Sequence, residues 1–227
     1  MLVLASNSPR RRELLAFGGW DFCVRTAQVN ELVCNGESPI EYVVRLAIDK
    51  AQAVAELFTD PRPDTLIVAA DTAVVDRSPA KKTSLAQINI LGKPSDRLDA
   101  EGMLRRLRGR THQVYTGVAV LRLGNGELQR EVCITDVPMR LYSDDEIQMY
   151  IDSGDPMDKA GAYAIQHQEF NPVVGLTGCY ANVMGLPICH LARILTRFDK
   201  GPCREIFVSC EQYLGYSCDI YQQILDN

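Results

Sequence analysis

The stretch Leu2-Val3-Leu4-Ala5-Ser6-Asn7-Ser8-Pro9-Arg10-Arg11 decides the fold at the start of this 227-residue chain. Its apolar first half predicts a short buried strand. Ser8 is a favourable N-cap and Pro9 suits the first helical position, so we expect a helix to begin there. A strand that leads through a short loop into a helix favours an α/β protein.

The first turn of this predicted helix carries Arg10, Arg11 and Arg12. Cations are unfavourable at a helix N-terminus, because the helix dipole attracts anions there. Backbone N–H groups, serine hydroxyls and guanidinium groups together suit a phosphate. The segment indicates either a phosphate site or a basic turn in solvent, and by itself it does not decide between them.

The composition is that of a soluble globular protein, with 46% hydrophobic and 23% charged residues. The formal net charge of −5 argues against a broad nucleic-acid-binding face, although a local cationic pocket is compatible with it. No apolar run approaches the roughly 20 residues of a membrane span. The N-terminus has no signal-peptide pattern, so we expect a cytoplasmic protein without a membrane partner.

The cysteines and histidines do not predict a metal centre. The eight cysteines contain no C-x-x-C pair, and the three histidines have no zinc-ligand spacing with them. Most of the cysteines are therefore expected to be buried free thiols, which pack as small hydrophobic side chains.

Further along the chain, apolar runs alternate with amphipathic helical patterns, as in an α/β fold. We predict helices over 39–57, 96–107 (capped by Ser95), 144–151 (capped by Ser143) and 187–198, and a buried strand over 66–70. Strands over 114–123 and 128–137 flank Gly124-Asn125-Gly126, which is typical of a hairpin. Residues 76–90 are expected to form a surface loop. Residues 1–199 are predicted to be one domain and 200–227 an appended tail, helical near 213–225.

Three loops carry the remaining candidates for chemistry. Asp71 and Thr72 directly follow the strand predicted over 66–70, a usual position for active-site residues in open α/β sheets, although a turn or capping role for Asp71 is an alternative. Lys93 stands between Gly92 and Pro94 in a rigid loop that lacks the Walker A spacing. The third loop places Lys159 before two small residues and Gln166 shortly after them, where its amide could read a base edge. Together these loops suit a triphosphate with a metal better than an apolar ligand.

Several segments, in this order, resemble the Maf family, also called septum-formation inhibitor proteins, which are nucleoside triphosphate pyrophosphatases. They are Ala5-Ser6-Asn7-Ser8-Pro9-Arg10-Arg11, Tyr42-Val43-Val44-Arg45-Leu46-Ala47 with Lys50, Ala70-Asp71-Thr72, Leu91-Gly92-Lys93-Pro94, Thr111-His112-Gln113-Val114-Tyr115-Thr116-Gly117, Asp158-Lys159-Ala160-Gly161-Ala162-Tyr163 and Asn182-Val183-Met184-Gly185-Leu186-Pro187. The resemblance covers about residues 2–198, and so many ordered motifs make it specific.

The resemblance implies an α/β fold, with a central twisted mixed sheet, flanking helices and two lobes around a cleft, related to the house-cleaning ITPase-like enzymes. It implies hydrolysis of a nucleoside triphosphate to the monophosphate and pyrophosphate with a divalent cation, Mg²⁺ or Mn²⁺, a link to cell division arrest, and a homodimer. By this analogy Asp71 is the catalytic proton acceptor, and Glu31 assists it with metal or water. The phosphates would be held by Ser8, Arg11, Lys50, Lys93 and Lys159.

Three positions separate the branches of the family. Members similar to the dTTP/UTP pyrophosphatases carry Arg, Thr and Gln at the positions of Arg10, Thr72 and Gln166, whereas the 7-methyl-GTP branch carries Trp, Gln and Glu. This chain has the first set. Gln pairs with the O4/N3 edge of uracil or thymine, and Glu would repel O4. The resemblance therefore implies a preference for dTTP and UTP.

The chain also departs from the family pattern. His167 replaces a Gly beside Gln166, Asp155 replaces a Glu, and Ala73 replaces a Val. Because His167 lies next to the base-reading position, a preference for modified or purine nucleotides stays an alternative. A nucleotide- or DNA-binding regulator of septum formation without turnover is an alternative of a different class.

Overall fold

The computed structural model describes residues 1–59, 63–76 and 89–225. At its centre is a mixed six-stranded sheet with helices packed around it, which confirms the predicted fold class. The strands are β1 (Leu2–Leu4), β2 (Phe22–Val24), β3 (Leu66–Asp76), β4 (Asn89–Leu91), β5 (Thr111–Arg122) and β6 (Leu128–Pro138). Along the sheet the order is β2-β1-β3-β5-β6, and β4 also pairs with β3.

Strand β3 connects the parallel and antiparallel halves of the sheet. Its first residues, Leu66 to Val68, pair in parallel with β1, and its last, Val74 to Asp76, pair antiparallel with β4. Strand β5 pairs with β3 from Leu66 to Val75 along the opposite edge. The edge shared by β1 and β4 therefore has a gap at residues 69–73, among the residues that the structure describes.

Asp71 and Thr72 lie in the middle of β3, in this gap, so their predicted position after the end of a strand was wrong. The strand continues because Ala73, Val74 and Val75 are buried apolar residues that extend the pairing with β5. Alternation along the strand points neighbouring side chains to opposite faces. Asp71 accordingly faces the same side as Ala73, and Thr72 faces the other.

The helices cover both faces of the sheet. They are α1 (Pro9–Ala16), α2 (Pro39–Ala55), α3 (Arg97–Leu107), α4 (Asp144–Asp152), α5 (Tyr180–Met184), α6 (Ile188–Thr196), α7 (Ile206–Leu214) and α8 (Tyr221–Leu225). Helix α2 packs on one face, where Tyr42, Val43 and Leu46 meet apolar residues of β3 and β5. The larger core on the other face includes residues of α1 and of α3 to α8.

Most predicted elements are confirmed, with changes at their ends. Helix α2 ends at Ala55, two residues before the predicted end, and α4 begins after Ser143, which forms a capping box with Glu146. The N-cap of α3 is Asp96 and not Ser95, because the Asp96 carboxylate accepts a hydrogen bond from the backbone N–H of Asp99. The hairpin prediction is correct, with Leu121 opposite Leu128 at its closed end.

The predicted loop and tail have different outcomes. Strands β3 and β4 take up Asp76 and residues 89–90, and the rest of the loop, 77–88, lies outside the described residues. The tail prediction located one helix near residues 213–225, but there are two, and α7 ends at Leu214. Ile206 and Ile224 of these helices join the main core. The division of the chain into a domain over residues 1–199 and a tail over 200–227 stays a prediction.

All eight cysteines are free thiols, but only Cys133, Cys179 and Cys189 are buried, so the expectation that most are buried was wrong. Cys23, Cys34 and Cys203 are exposed, and Cys210 and Cys218 are partly buried. None of the described helices is long and apolar enough to cross a membrane.

Candidate active site

A cavity of about 450 Å³ opens at the gap in the sheet. Its wall includes five cationic side chains, Arg10, Arg11, Lys50, Lys93 and Lys159, and three acidic ones, Glu31, Asp71 and Asp158. The site is therefore locally cationic on a chain of net charge −5. All ten residues predicted to form the site (Ser8, Arg10, Arg11, Glu31, Lys50, Asp71, Thr72, Lys93, Lys159 and Gln166) line this one cavity.

Lys50 joins the two predicted carboxylates. Its Nζ lies 2.6 Å from Asp71 Oδ1 and 2.7 Å from Glu31 Oε1. Asp71 is buried, with 7% of its surface exposed, whereas Glu31 is exposed on the loop before α2. The Tyr42 hydroxyl donates to the Glu31 carbonyl oxygen at 3.0 Å and fixes that loop on the helix. Two carboxylates of the cavity wall thus converge on one cation.

The protonation behaviour of the two carboxylates differs. Burial raises the pKa of Asp71, and the charges of Lys50 and Arg11 oppose that rise without cancelling it. Burial also acts on Glu31, but the hydrogen bond and charge of Lys50 outweigh it and lower the pKa of Glu31. Burial thus makes Asp71 a stronger base than an exposed aspartate, in the direction that proton acceptance favours.

The start of α1 presents polar groups to the cavity. Ser6 Oγ accepts the Ser8 backbone N–H at 3.2 Å, while the Ser8 side chain makes no capping hydrogen bond. The helix begins at Pro9 as predicted. The Ser8 hydroxyl and the first N–H groups of the helix are therefore available to an anion, as the phosphate-site interpretation requires.

Arg11 is held by three oxygen atoms from three parts of the chain. Its Nε donates to the Gly185 carbonyl oxygen at 2.7 Å, its Nη2 to Thr72 Oγ1 at 3.1 Å and its Nη1 to Ser6 Oγ at 3.4 Å. Gly185 has a φ of 107°, and a Cβ there would lie 3.2 Å from Thr72 Oγ1. A glycine is required both for this backbone conformation and for the close approach of Arg11.

Thr72 is also the first member of a buried hydrogen-bond chain. Its Oγ1 lies 2.9 Å from Thr116 Oγ1, which donates to the Asn182 carbonyl oxygen at 3.1 Å. The Asn182 side-chain amide donates to the Val114 carbonyl oxygen and to Thr135 Oγ1. The chain ties Thr72, and through it Arg11, to the interior of the protein.

Lys159 is buried and its ammonium group is saturated. Nζ donates to the Asp155 carbonyl oxygen at 2.6 Å, to Asp155 Oδ1 at 3.0 Å and to Asp158 Oδ1 at 2.6 Å. Asp155 is held in turn by the Tyr150 hydroxyl at 2.7 Å, whereas the Asp158 side chain is 70% exposed. A phosphate that binds Lys159 must displace one of these acceptors. Asp158 is the easiest to displace, because its side chain is exposed and lacks the Tyr150 contact that holds Asp155.

Lys93 is exposed and has no ion-pair partner within the part of the chain that the structure describes. The backbone around it is fixed, since the Gly161 N–H donates to the Gly92 carbonyl oxygen at 3.0 Å. Gly161 has a φ of 69°, and a Cβ there would lie 3.0 Å from Val74. The loops of Lys93 and Lys159 are thereby packed against each other and against β3.

Arg10 and Gln166 lie at the cavity wall, and neither has a side-chain hydrogen bond within the described ranges. His167 lies outside the cavity wall: its Nδ1 accepts the Phe170 N–H at 3.0 Å, and its ring meets Tyr150 edge-on at 4.7 Å. His167 therefore does not face the position of Gln166 in the cavity.

Some functional residues were not predicted from the sequence. Thr116 and Asn182 hold Thr72, Tyr42 holds the Glu31 loop, and Asp155 holds Lys159. Thr116, Asn182 and Tyr42 belong to the motifs quoted above, but no role was predicted for them. Asp155 was noted only as a departure from the family pattern. Thr116 and Asn182 are polar residues within otherwise apolar, buried segments, and such residues require hydrogen-bond partners.

The two carboxylates on Lys50 fit a divalent cation. No group of three or more His, Cys, Asp or Glu side chains in the described part of the chain is arranged as a metal site. Mg²⁺ is commonly held by only one or two carboxylates together with substrate phosphates. Glu31 and Asp71 supply that number of oxygen ligands, and they already share one cation, the Lys50 ammonium group.

Comparison with known proteins gives a family and curated relatives. The family model described as Maf-like protein matches residues 1–198. A protein of Dehalococcoides mccartyi strain BAV1 named dTTP/UTP pyrophosphatase is 41% identical over 88% of this chain and 84% of its own length. A protein of the same name from Pelotomaculum thermopropionicum is 44% identical over 87% of this chain and 96% of its own length. Another, from Symbiobacterium thermophilum, is 43% identical over 87% of this chain and 93% of its own length.

Among solved structures, that of the Staphylococcus aureus Ham1 protein matches 75% of this chain and 90% of its own, with a TM-score of 0.41 and 16% sequence identity.

Proposed function

Because this chain belongs to the Maf-like protein family, we propose that its cavity hydrolyses dTTP and UTP to the nucleoside monophosphate and pyrophosphate. One observation carries the proposal. A buried carboxylate, Asp71, lies at the foot of a cavity whose wall holds five cationic side chains. A triphosphate matches that charge, and a carboxylate beside it can accept a proton from water.

The reaction divides between positioning and proton transfer. The Asp71 carboxylate accepts a proton from the attacking water, which adds to phosphorus as the anhydride bond between the α- and β-phosphates breaks. Lys50 and Arg11 stabilise the charge that develops on the phosphate oxygens. Ser8, the N–H groups at the start of α1, Lys93 and Lys159 hold the remaining phosphates. Binding a polyanion beside Lys159 displaces the Asp158 carboxylate.

A divalent cation, Mg²⁺ or Mn²⁺, belongs to this proposal. Glu31 and Asp71 would hold it together with substrate phosphate oxygens, and it would supply charge neutralisation for the phosphates. Glu31, exposed at the cavity mouth with a lowered pKa, remains an anionic ligand over the neutral pH range.

The base preference rests on Arg10, Thr72 and Gln166. The Gln166 amide is exposed at the cavity wall, where it can offer both a donor and an acceptor to the O4/N3 edge of uracil or thymine. Thr72 acts differently, because its hydroxyl is engaged by Arg11 and Thr116. Its contribution to preference is to orient Arg11.

Three wider expectations belong to the same proposal: a house-cleaning role linked to cell division arrest, a cytoplasmic location, and a homodimer. The relatives' names support the reaction and are silent on all three. The alternative of a nucleotide- or DNA-binding regulator without turnover is less favoured, because a binder has no need of a buried base beside its phosphate site.

Pyrophosphate release from dTTP and UTP, with Mg²⁺ or Mn²⁺, tests the proposal. We expect release by the wild type and a loss of at least about 10²-fold in kcat for Asp71→Asn, the scale of a removed general base. CTP, GTP and 7-methyl-GTP at one concentration are the substrate controls.

The outcomes separate the alternatives. Retained binding of dTTP by Asp71→Asn without turnover supports Asp71 as the proton acceptor. An Asp71→Asn protein with wild-type turnover would exclude that role. Binding of dTTP by the wild type without release from any nucleotide would favour the regulator, and a preference for 7-methyl-GTP would refute the proposed base specificity.

A further inference from the structure

Residues 199–227 lie beyond the family match, and those up to Leu225 pack onto the body of the protein. Ile206 of α7 and Ile224 of α8 are buried in the main core. Arg193 of α6 donates to the Ile224 carbonyl oxygen at 2.5 Å, and Tyr216 donates to the carbonyl oxygens of Leu176 and Gly178. The tail is thus a folded part of this chain with defined contacts.

One of these contacts reaches the helix that carries the cavity arginines. Tyr213 of α7 packs against Phe17, directly after α1, with ring centroids 4.4 Å apart and the rings tilted by 53°. Its hydroxyl donates to Glu13 Oε2, within α1, at 2.6 Å. Tyr213 therefore touches both a charged residue of α1 and the aromatic residue at its end.

The start of the tail fixes the turn after α1 as well. The Cys203 N–H donates to the Gly18 carbonyl oxygen at 2.9 Å, and Trp20 Nε1 donates to the Lys200 carbonyl oxygen at 2.9 Å. The end of α1 is consequently held between residues 200–203 and α7.

Helix α1 needs such support, because it has little stability of its own. It has eight residues, no side-chain cap at its N-terminus and no acidic residue in its first turn, where three arginines oppose the helix dipole. Only Leu14 and Leu15 of its side chains are buried. Contacts from the rest of the fold must therefore hold its position.

The two cavity arginines of α1 depend on the helix to different degrees. Arg11 has its own contacts with Gly185, Thr72 and Ser6. Arg10 is partly buried and has no side-chain hydrogen bond or ion pair to any of the described residues, so no polar contact of its own fixes the guanidinium group if α1 moves.

We propose that Tyr213 is a positioning residue for nucleotide binding: by contacting Glu13 and Phe17 it fixes α1 and so holds Arg10 at the cavity wall. The nature of the ligand rests on the proposed function. Because Asp71 and Lys50 lie on β3 and α2, away from these contacts, Tyr213 affects nucleotide binding more than the chemical step.

The test compares three full-length variants. We expect Tyr213→Ala to raise KM for dTTP and UTP about three- to tenfold, since it removes both an aromatic pair and a hydrogen bond to a carboxylate, with kcat within about twofold of wild type. Tyr213→Phe keeps the ring contact with Phe17, so its KM should be close to that of the wild type. Tyr216→Phe removes a hydroxyl from the same tail without touching α1 and should leave KM unchanged.

Hydrogen exchange of the α1 backbone amides supplies a readout that needs no activity. We expect faster exchange over residues 12–17 in Tyr213→Ala and not in Tyr216→Phe. Unchanged exchange, an unchanged KM, or an equal fall of kcat would each overturn the proposal. If Tyr213→Ala does not fold, Phe17→Ala removes the same ring contact from the α1 side and must raise KM. If the wild type cleaves neither nucleotide, the proposed function fails, while the exchange data still decide whether Tyr213 braces α1.

Discussion

Asp71 lies directly opposite Gly117 in the ladder between β3 and β5, and α2 crosses the sheet over Gly117. A Cβ at residue 117 would lie 2.5 Å from the Val43 carbonyl oxygen. The missing side chain lets the α2 backbone approach the sheet closely, and this approach brings Lys50 within 2.6 Å of Asp71. Gly117 is far from Asp71 in the sequence, but its lack of a side chain is thus a condition for the ion pair at the centre of the site.

The first prediction concerns this close approach. Gly117→Ala should lower the free energy of unfolding by about 1–3 kcal/mol, because the methyl group meets backbone atoms that cannot rotate away. It should also reduce kcat/KM by at least about tenfold, since a displacement of α2 moves Lys50 relative to Asp71. Urea denaturation and steady-state kinetics measure the two effects.

Gly102→Ala is the matched control. Gly102 lies in α3, and a Cβ there has no neighbour within 4 Å. Replacing glycine by alanine in a helix stabilises it by about 0.5–1 kcal/mol. If both variants had the same stability, the close approach of α2 would not be the reason for a glycine at residue 117.

The second prediction concerns the geometry of Arg11. Arg11→Lys keeps the charge but cannot reach Gly185, Thr72 and Ser6 at once, because an ammonium group lacks the planar fork of a guanidinium group. We expect kcat/KM to fall about 10²-fold, the scale of one lost preorganised donor. Arg12→Lys is the control, since Arg12 is exposed and, among the residues that the structure describes, donates only to Asn7. An Arg11→Lys enzyme as active as Arg12→Lys would show that charge alone suffices at residue 11.

The identity of the site residues was easier to predict from the sequence than the strand and sheet geometry that brings them together. The chemistry of Asp71 and Lys93 was visible in short motifs, because a carboxylate after an apolar run and a lysine between Gly and Pro are local signals. The length of β3 was not visible in the sequence. Residues 66–76 are apolar on both faces apart from three polar positions, so they do not show an alternating pattern. The gap in the sheet depends on where β1 and β4 stop, which is a property of the tertiary structure.

The contacts that hold the site were beyond sequence reasoning for a similar reason. Arg11 and Gly185 are 174 residues apart, and Tyr213 and Glu13 are 200 apart. A pattern within one segment contains no information about a partner so distant. The hydrogen bond between Thr72 and Thr116 could only follow from the register of β3 against β5, which places them opposite each other.

The third prediction concerns acid sensitivity. His112 is buried, its Nε2 is 2.8 Å from the Tyr163 hydroxyl, and burial lowers its pKa to about 4. The unfolded chain takes up a proton below about pH 6.5 and the folded protein does not, so stability falls as pH decreases from about 6.5 to 4, by on the order of 3 kcal/mol at pH 4.

His112→Gln retains a hydrogen-bonding side chain that does not titrate, so the slope of unfolding free energy against pH in this range should flatten. Urea denaturation at several pH values measures that slope. His190 is likewise buried with a pKa lowered to about 4, and His190→Gln should flatten the slope further when combined with it. A slope that is the same in the wild type and in both variants would contradict this account of acid sensitivity.

The fourth prediction concerns the competition for Lys159. Its three N–H donors are all engaged, and a phosphate must replace the exposed Asp158 carboxylate. Asp158→Asn weakens that acceptor by removing its charge, so we expect KM for dTTP to fall about two- to fivefold, the scale of one exposed ion pair. Asp155→Asn is the matched comparison: because Asp155 also accepts from Tyr150 and anchors the Lys159 side chain, its loss should raise KM. If both variants changed KM in the same direction, the two carboxylates would have the same role, and displacement of Asp158 by phosphate would be wrong.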